Sequence, residues 1–129
     1  MTSSLLLDTH IFLWARAEPE RLSTAELRAI EEARVRYVSI VTLWEFAMLI
    51  GLGRIEPNEK LLDVPAGYEL LSLSAAHCKA VAKLPRHHRD PFDRMLVAQA
   101  QTEQVPLMTR DRALAAYREH ATILRYSAA

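Results

Sequence analysis

Short apolar runs alternate with helix-patterned segments along this chain, and that alternation limits the fold more than any other feature. Leu5-Leu6-Leu7 stops at Asp8, the profile of a strand buried in a parallel sheet. Thr9 to Ala17 follows as a helix with Ile11, Phe12, Leu13 and Trp14 on its apolar face and Pro19 beyond its end. Ser23-Thr24-Ala25-Glu26 is a capping box that opens a second helix, reaching about Ala33. A strand over Arg36–Ser39 leads into a helix over Ile40–Leu52, closed by Gly51 or Gly53 in the left-handed conformation. A short helix over Asn58–Val64, a strand over Tyr68–Leu73 and a helix over Ser74–Leu84 come next. Asp90-Pro91 reads as an N-cap followed by proline at the first helical position, of a helix to about Gln104. A strand over Pro106–Thr109, a helix over Asp111–Glu119 and a strand over Thr122–Tyr126 complete the chain. The expectation is α/β: one domain over residues 1–129, with a mostly parallel central sheet of four to five short strands and helices on both faces.

Sheets of this class bind ligands at the carboxyl ends of their strands. Asp8 ends the first strand, Glu45 lies early in the helix after the second, and Asp111 follows the Pro106–Thr109 strand. Asp90 and Asp93 stand at the start of a further helix. Each has a local alternative. Asp90 and Asp111 are good N-caps, Asp93 is a favourable charge near a helix N-terminus, and Thr42-Leu43-Trp44-Glu45 fits a capping box. Asp8 is harder to explain locally, because an acid closing a buried strand needs a partner to offset its desolvation. Clustered carboxylates repel one another and raise their own pKa values unless a cation relieves them. Hard divalent ions such as Mg²⁺ and Mn²⁺ prefer such oxygens, and with two of them the site can hydrolyse a phosphodiester.

Composition narrows the field further. Sixteen basic residues balance sixteen acidic ones, so no global positive field advertises nucleic acid, although a local basic rim suffices. Cys78 is the single cysteine, which removes a disulfide framework and a cysteine-rich zinc site. The start lacks a signal-peptide pattern and no apolar run approaches the roughly 20 residues of a membrane span, so the expectation is a cytoplasmic protein.

Taken together, Leu-Leu-Asp8-Thr9-His10-Ile-Phe-Leu-Trp14, Val38-Ser39-Ile-Val-Thr42-Leu43-Trp44-Glu45, His88-Arg-Asp90-Pro91-Phe92-Asp93-Arg94 and Met108-Thr109-Arg110-Asp111 resemble the PIN-domain family. Within it they look most like the VapC-type toxins of bacterial toxin–antitoxin pairs, over nearly the whole chain. The resemblance implies a Mg²⁺- or Mn²⁺-dependent endoribonuclease whose catalytic, metal-holding acids match Asp8, Glu45, Asp93 and Asp111. Asp90 matches an acid that recurs in this subgroup, as ligand or as cap. Thr9 and Thr109 look like hydroxyls that orient carboxylates or water. The resemblance also implies an RNA substrate, a homodimer and an inhibitory antitoxin; the lack of a long apolar run sets the separate expectation of no membrane partner.

Around these acids, His10 either touches substrate or stands at the rim. His87 and His88, flanked by Arg86 and Arg89, form the most basic stretch, and either contact RNA phosphates or line a solvated loop. Arg94 and Arg110 each either reach a phosphate or pair with an acid. The helix over Ile40–Leu52 carries one stripe of Leu43, Phe46, Ala47 and Ile50 and a second of Trp44, Met48 and Leu52. Burial of both is the simpler outcome; an exposed second stripe marks the antitoxin or dimer contact. Two rival functions remain: a catalytically silent PIN-fold module that binds antitoxin or RNA, and a phosphotransfer domain. The second fits worse, since Asp8-Thr9-His10 lacks the second aspartate of one phosphatase pattern and the last lysine, Lys83, precedes the final strand by far.

Overall fold

Leu5–Leu7 forms strand β1, and it lies at the centre of the sheet because nothing in it needs water: its three leucines are 4% exposed or less. The structure, a computed structural model, describes residues 4–126. After β1 come α1 (Thr9–Ala17), α2 (Thr24–Glu32), β2 (Arg36–Ser39), α3 (Ile40–Gly51), β3 (Tyr68–Leu71), α4 (Ala75–Lys83), α5 (Pro91–Glu103), β4 (Leu107–Met108) and β5 (Ile123–Leu124). Short 3₁₀ segments cover Pro19–Arg21, Glu59–Leu62 and Arg112–Tyr117. The five strands pair in the order β3-β2-β1-β4-β5, every pairing parallel. The chain therefore winds outward from β1 through β2 to β3, then crosses back to lay β4 and β5 on the other side. Such a reversal opens a crevice at the carboxyl ends of β1 and its neighbours.

Alternation along the strands divides the apolar residues between two faces. Leu6 and Leu107 join Leu84, Leu96, Val97, Leu114 and Tyr117 beneath α4 and α5. Leu5, Leu7 and Met108 join Ile11, Phe12, Ile30, Val38 and Phe46 beneath α1 to α3. Helices thus cover both faces, as the alternation implies.

Local signals hold closely. The Ser23 hydroxyl accepts from the Glu26 amide at 3.1 Å while the Glu26 carboxylate accepts from the Ser23 amide at 2.7 Å, completing the capping box of α2. Asp90 caps α5, with Pro91 in its first turn. Of the two glycines after α3, Gly53 takes the left-handed conformation (φ 72°) and Gly51 stays helical. Two expectations change. The segments around Asn58–Val64 and Asp111–Glu119 form 3₁₀ rather than α-helix. In the latter the buried residues are Leu114 and Tyr117, three apart, and a three-residue turn stacks both on the core.

Candidate metal centre

Asp8 follows β1 and caps α1, so its carboxylate is fixed from two sides. One oxygen accepts the Ile11 amide at 2.9 Å and the other accepts the Thr109 hydroxyl from the end of β4. The partner that a buried acid demands is therefore present, contributed by a strand far away in sequence. Next along the chain, the Thr9 hydroxyl donates to Glu45 at 2.9 Å and lies 3.1 Å from the Thr42 hydroxyl. Glu45 forms no capping box with Thr42, because the cap of α3 is Ser39, whose hydroxyl accepts from the Val41 amide. That leaves the Glu45 carboxylate facing α1 and Asp8.

Asp90 and Asp111 do cap, while Asp93 stands in the first turn of α5. Asp90 accepts the amides of Phe92 at 2.8 Å and Asp93 at 3.4 Å. Asp111 accepts the Ala113 amide at 2.9 Å, and its own amide donates to the Thr109 hydroxyl at 3.0 Å. In both aspartates one oxygen serves the cap, so capping and ligand roles coexist in one side chain.

His88 is the member of the cluster that sequence left among the basic loop residues. Its Nδ1 accepts the Asp90 amide at 3.0 Å, which places the proton of a neutral ring on Nε2. Nε2 lies 2.9 Å from Asp111 and 3.5 Å from Asp93, so the imidazole ties the two acids together. His88, Asp93 and Asp111 each offer a ligand atom within 4.8 Å of the others. The loop is pinned by Tyr117, which is fully buried: its hydroxyl accepts the amides of His87 and His88 and donates to the Pro85 carbonyl. Proximity of Tyr117 to residues about thirty positions earlier had no sequence signature.

Charge crowding is evident in the protonation equilibria. Burial, then the charges of Asp90, Asp8 and Glu45, push Asp93 up to about 7 despite His88. Burial also raises Glu45, helped by Asp90 and Asp8 and opposed by Thr9 and His10. Asp8 is raised as well, burial outweighing its hydrogen bonds from Thr109 and Ile11. For Asp111 burial acts upward, but the hydrogen bonds of His88 and the Ala113 amide hold it below the usual range. Three carboxyl groups that resist ionisation beside one another fit a divalent cation, which would offset their repulsion. The donor set is nearly all oxygen, the choice of Mg²⁺ or Mn²⁺, with His88 offering a nitrogen beside Asp93 and Asp111.

The basic residues divide. Arg94 does not face the acids: its guanidinium donates to the carbonyls of Pro85, Val81 and Leu84 and to the Tyr117 hydroxyl, closing the C-terminus of α4. Arg110 also turns away, onto buried Glu26 of α2. Arg86 and Arg89 are exposed, form no ion pair among the described residues, and line a cavity of about 410 Å³ with His88, Pro91 and Arg94. His10 is exposed at the rim, 5.8 Å from the Trp14 ring. Of the two α3 stripes, the first is buried at Leu43 and Phe46, whereas Ala47 is exposed. The second is not core: Trp44, Met48 and Leu52 are 61, 40 and 63% exposed. Only one face of α3 meets the sheet, and Trp44 is steadied from outside by the Phe92 ring 5.1 Å away.

Comparison with known proteins bears on the fold and the family of the chain. The PIN domain family profile matches residues 5–120. The chain is 33% identical over 127 residues to Ribonuclease VapC22 of Mycobacterium tuberculosis, covering 90% of this chain and 93% of that protein. VapBC2 of Rickettsia felis, solved with a DNA fragment from its promoter, superposes with a TM-score of 0.73 at 15% identity, covering 96% of this chain and 99% of that one. VapBC-5 of M. tuberculosis, from the VapBC family of toxin–antitoxin systems, gives 0.61 at 20% identity over 95 and 96%. At those identities the structural likeness speaks for the fold, and the sequence matches speak for descent: this chain belongs to the PIN-domain family, in its VapC-type group.

Proposed function

We propose that this protein is a metal-dependent endoribonuclease that hydrolyses RNA phosphodiesters and is held in check by a cognate antitoxin, acting in the cytoplasm as a VapC-type toxin. The observation that carries the proposal is that Asp8, Glu45, Asp93 and Asp111, from four separate segments, raise or feel one another's charge, that Asp93 and Asp111 share a possible ligand cluster with His88, and that Asp93 is held near 7 by burial and by its acidic neighbours. A fold does not need that cluster; capping needs only single acids, one per helix. The ribonuclease name of a relative at 33% identity supports RNA as the substrate.

In this proposal Asp8, Glu45, Asp93 and Asp111 hold Mg²⁺ or Mn²⁺, and Asp90 adds negative charge from its capping position. A bound divalent ion supplies Lewis acidity, lowering the pKa of water and steadying charge on the phosphate oxygens. The chain's own residues do the rest. Thr109 and the Ile11 amide fix both Asp8 oxygens, Thr9 aims Glu45, and His88 fixes the separation of Asp93 and Asp111. Arg86 and Arg89, at the edge of the same loop, draw the RNA backbone toward the acids, and exposed His10 adds a basic group whose charge is felt at Asp8, Glu45 and Asp111. Trp44, Met48 and Leu52 form the apolar contact for the antitoxin or a second protomer. Among the described residues no helix is long and apolar enough to cross a membrane.

The deciding experiment is incubation of a structured RNA pool with purified, antitoxin-free protein in Mg²⁺, in Mn²⁺ and in EDTA, with Asp8→Asn as control. Cutting that needs metal and vanishes in the variant is expected. Folded protein that neither cuts nor binds metal by calorimetry would leave a binding module in place of the enzyme.

A further inference from the structure

Arg110 lies between two residues of the metal centre, yet its side chain leaves that centre for the other side of the segment. Thr109 donates to Asp8 and accepts from the Asp111 amide, so the tripeptide Thr109-Arg110-Asp111 links two of the acids. From its middle, Arg110 donates through Nε to one Glu26 oxygen at 2.8 Å and through Nη2 to the other at 2.5 Å, and Nη2 also meets the Arg21 carbonyl at 2.5 Å. Glu26 is fully buried, and its Oε1 also accepts the Ser23 amide at 2.7 Å in the capping box. The guanidinium rests 4.9 Å above the Trp14 ring, and Arg21 lies 5.3 Å from the same ring. A planar fork paired with both oxygens of a buried carboxylate has one geometry, unlike a mobile surface arginine.

We infer that Glu26 and Arg110 form a positioning clamp that sets the backbone of Thr109 and Asp111, and through it the placement of Asp8 and Asp111 in the metal centre. The inference rests on the reading of those acids as metal-holding groups. α2 contributes no residue to the site, but its N-terminal cap anchors the one arginine that reaches behind it. The strand β4 is only two residues long, Leu107–Met108; beyond it the Thr109 amide donates to the Leu124 carbonyl at 3.0 Å and Arg125 Nε donates to the Arg110 carbonyl at 3.4 Å, and the clamp adds a side-chain constraint from the α2 side. Arg110 is thereby a positioning residue and not a contact to RNA phosphate.

The test uses Glu26→Gln, Arg110→Met and Arg110→Lys in the full chain, at a temperature where circular dichroism shows each folded. Glutamine still closes a capping box, so Glu26→Gln removes the charge and leaves the helix start intact. Two quantities decide the clamp, Mn²⁺ affinity by calorimetry and hydrogen exchange of the Asp111 amide by NMR, and KM for RNA is measured beside them. Expected are a loss of about 10- to 100-fold in Mn²⁺ affinity and faster exchange at Asp111, with β1 amides unchanged. Arg110→Lys should fall between wild type and Arg110→Met, since lysine keeps the charge without the fork. Lower melting temperatures with both readouts unchanged would make the pair a structural staple and overturn the inference. A raised KM for RNA in Arg110→Met, with Glu26→Gln silent, would overturn it in favour of a substrate contact. If the wild-type protein binds no Mn²⁺, the proposed function fails, and the Asp111 amide still decides the clamp.

Discussion

The hydroxyl of Thr109 donates to the Asp8 carboxylate across 101 residues of sequence, and the same oxygen accepts the Asp111 amide. One side chain thus orients an acid at the end of β1 and an acid after β4. Thr109→Val keeps the shape and removes both bonds. It should lower cleavage by about 10- to 100-fold, as loss of an orienting partner does in metal sites, while Thr109→Ser stays near wild type. Single-turnover cleavage of a defined RNA measures this; full activity in Thr109→Val would remove the orienting role.

Asp93 gives a pH dependence of definite sign. Its folded-state value of about 7 lies above its ordinary one, so the folded, metal-free protein holds a proton that the unfolded chain releases near pH 4. Stability of the metal-free protein from this group is full below that ordinary value and is lost as pH rises through about 7. Asp8 and Glu45, also raised, act in the same direction, whereas Asp111 and Glu26 are lowered and act oppositely at acid pH. Metal binding runs the other way, because a proton must leave first. Mn²⁺ affinity should therefore climb between pH 6 and pH 8 as metal-free melting temperature falls, and Asp93→Asn should flatten both trends. Calorimetry and thermal melts at pH 6, 7 and 8 check it; affinity that is flat with pH contradicts the assignment.

Arginines of the same loop region should separate by phenotype. Arg94 satisfies carbonyls at the end of α4, so Arg94→Ala should cost about 2–3 kcal/mol of stability through the orphaned acceptors. Arg89→Glu breaks no ion pair, and should raise KM for RNA several-fold and weaken its salt dependence, with melting temperature unchanged. Denaturant melts beside kinetics at two salt concentrations distinguish the pair. A Tm loss confined to Arg89→Glu would reverse the assignment.

The exposed α3 stripe predicts a partner. Met48→Lys with Leu52→Lys should leave the melting temperature within about 3–5 °C, because two surface changes of at most about 0.5 kcal/mol each sum to about 1 kcal/mol. The same double variant should dissociate the antitoxin complex or the homodimer, read by sedimentation of the protein alone and with the antitoxin. Unfolding of the variant would place the stripe in the core; an unchanged assembly would move the contact elsewhere.

Alternation of strand and helix, the Ser23–Glu26 box, the Asp90–Pro91 start and the placement of acids after strands are local properties, set by periodicity and by hydrogen bonds a few residues apart. They were legible from sequence for that reason, and with them the parallel α/β class and the positions of Asp8 and Asp111 just past strand ends. What a side chain meets across the fold is not local. Arg94 and Arg110 sit beside acids in sequence, yet one closes α4 and the other reaches buried Glu26. His88 looked like one of several basic loop residues until Tyr117 pinned its loop and turned its ring onto Asp93 and Asp111. Helical spacing alone made both stripes of α3 equally apolar, and only the packing of one face on the sheet decided that Trp44, Met48 and Leu52 remain in solvent. Sequence determined which chemistry was available; the order of strands around β1 decided which residues share it, because the crossover brings β4 beside β1 and so joins Thr109 to Asp8.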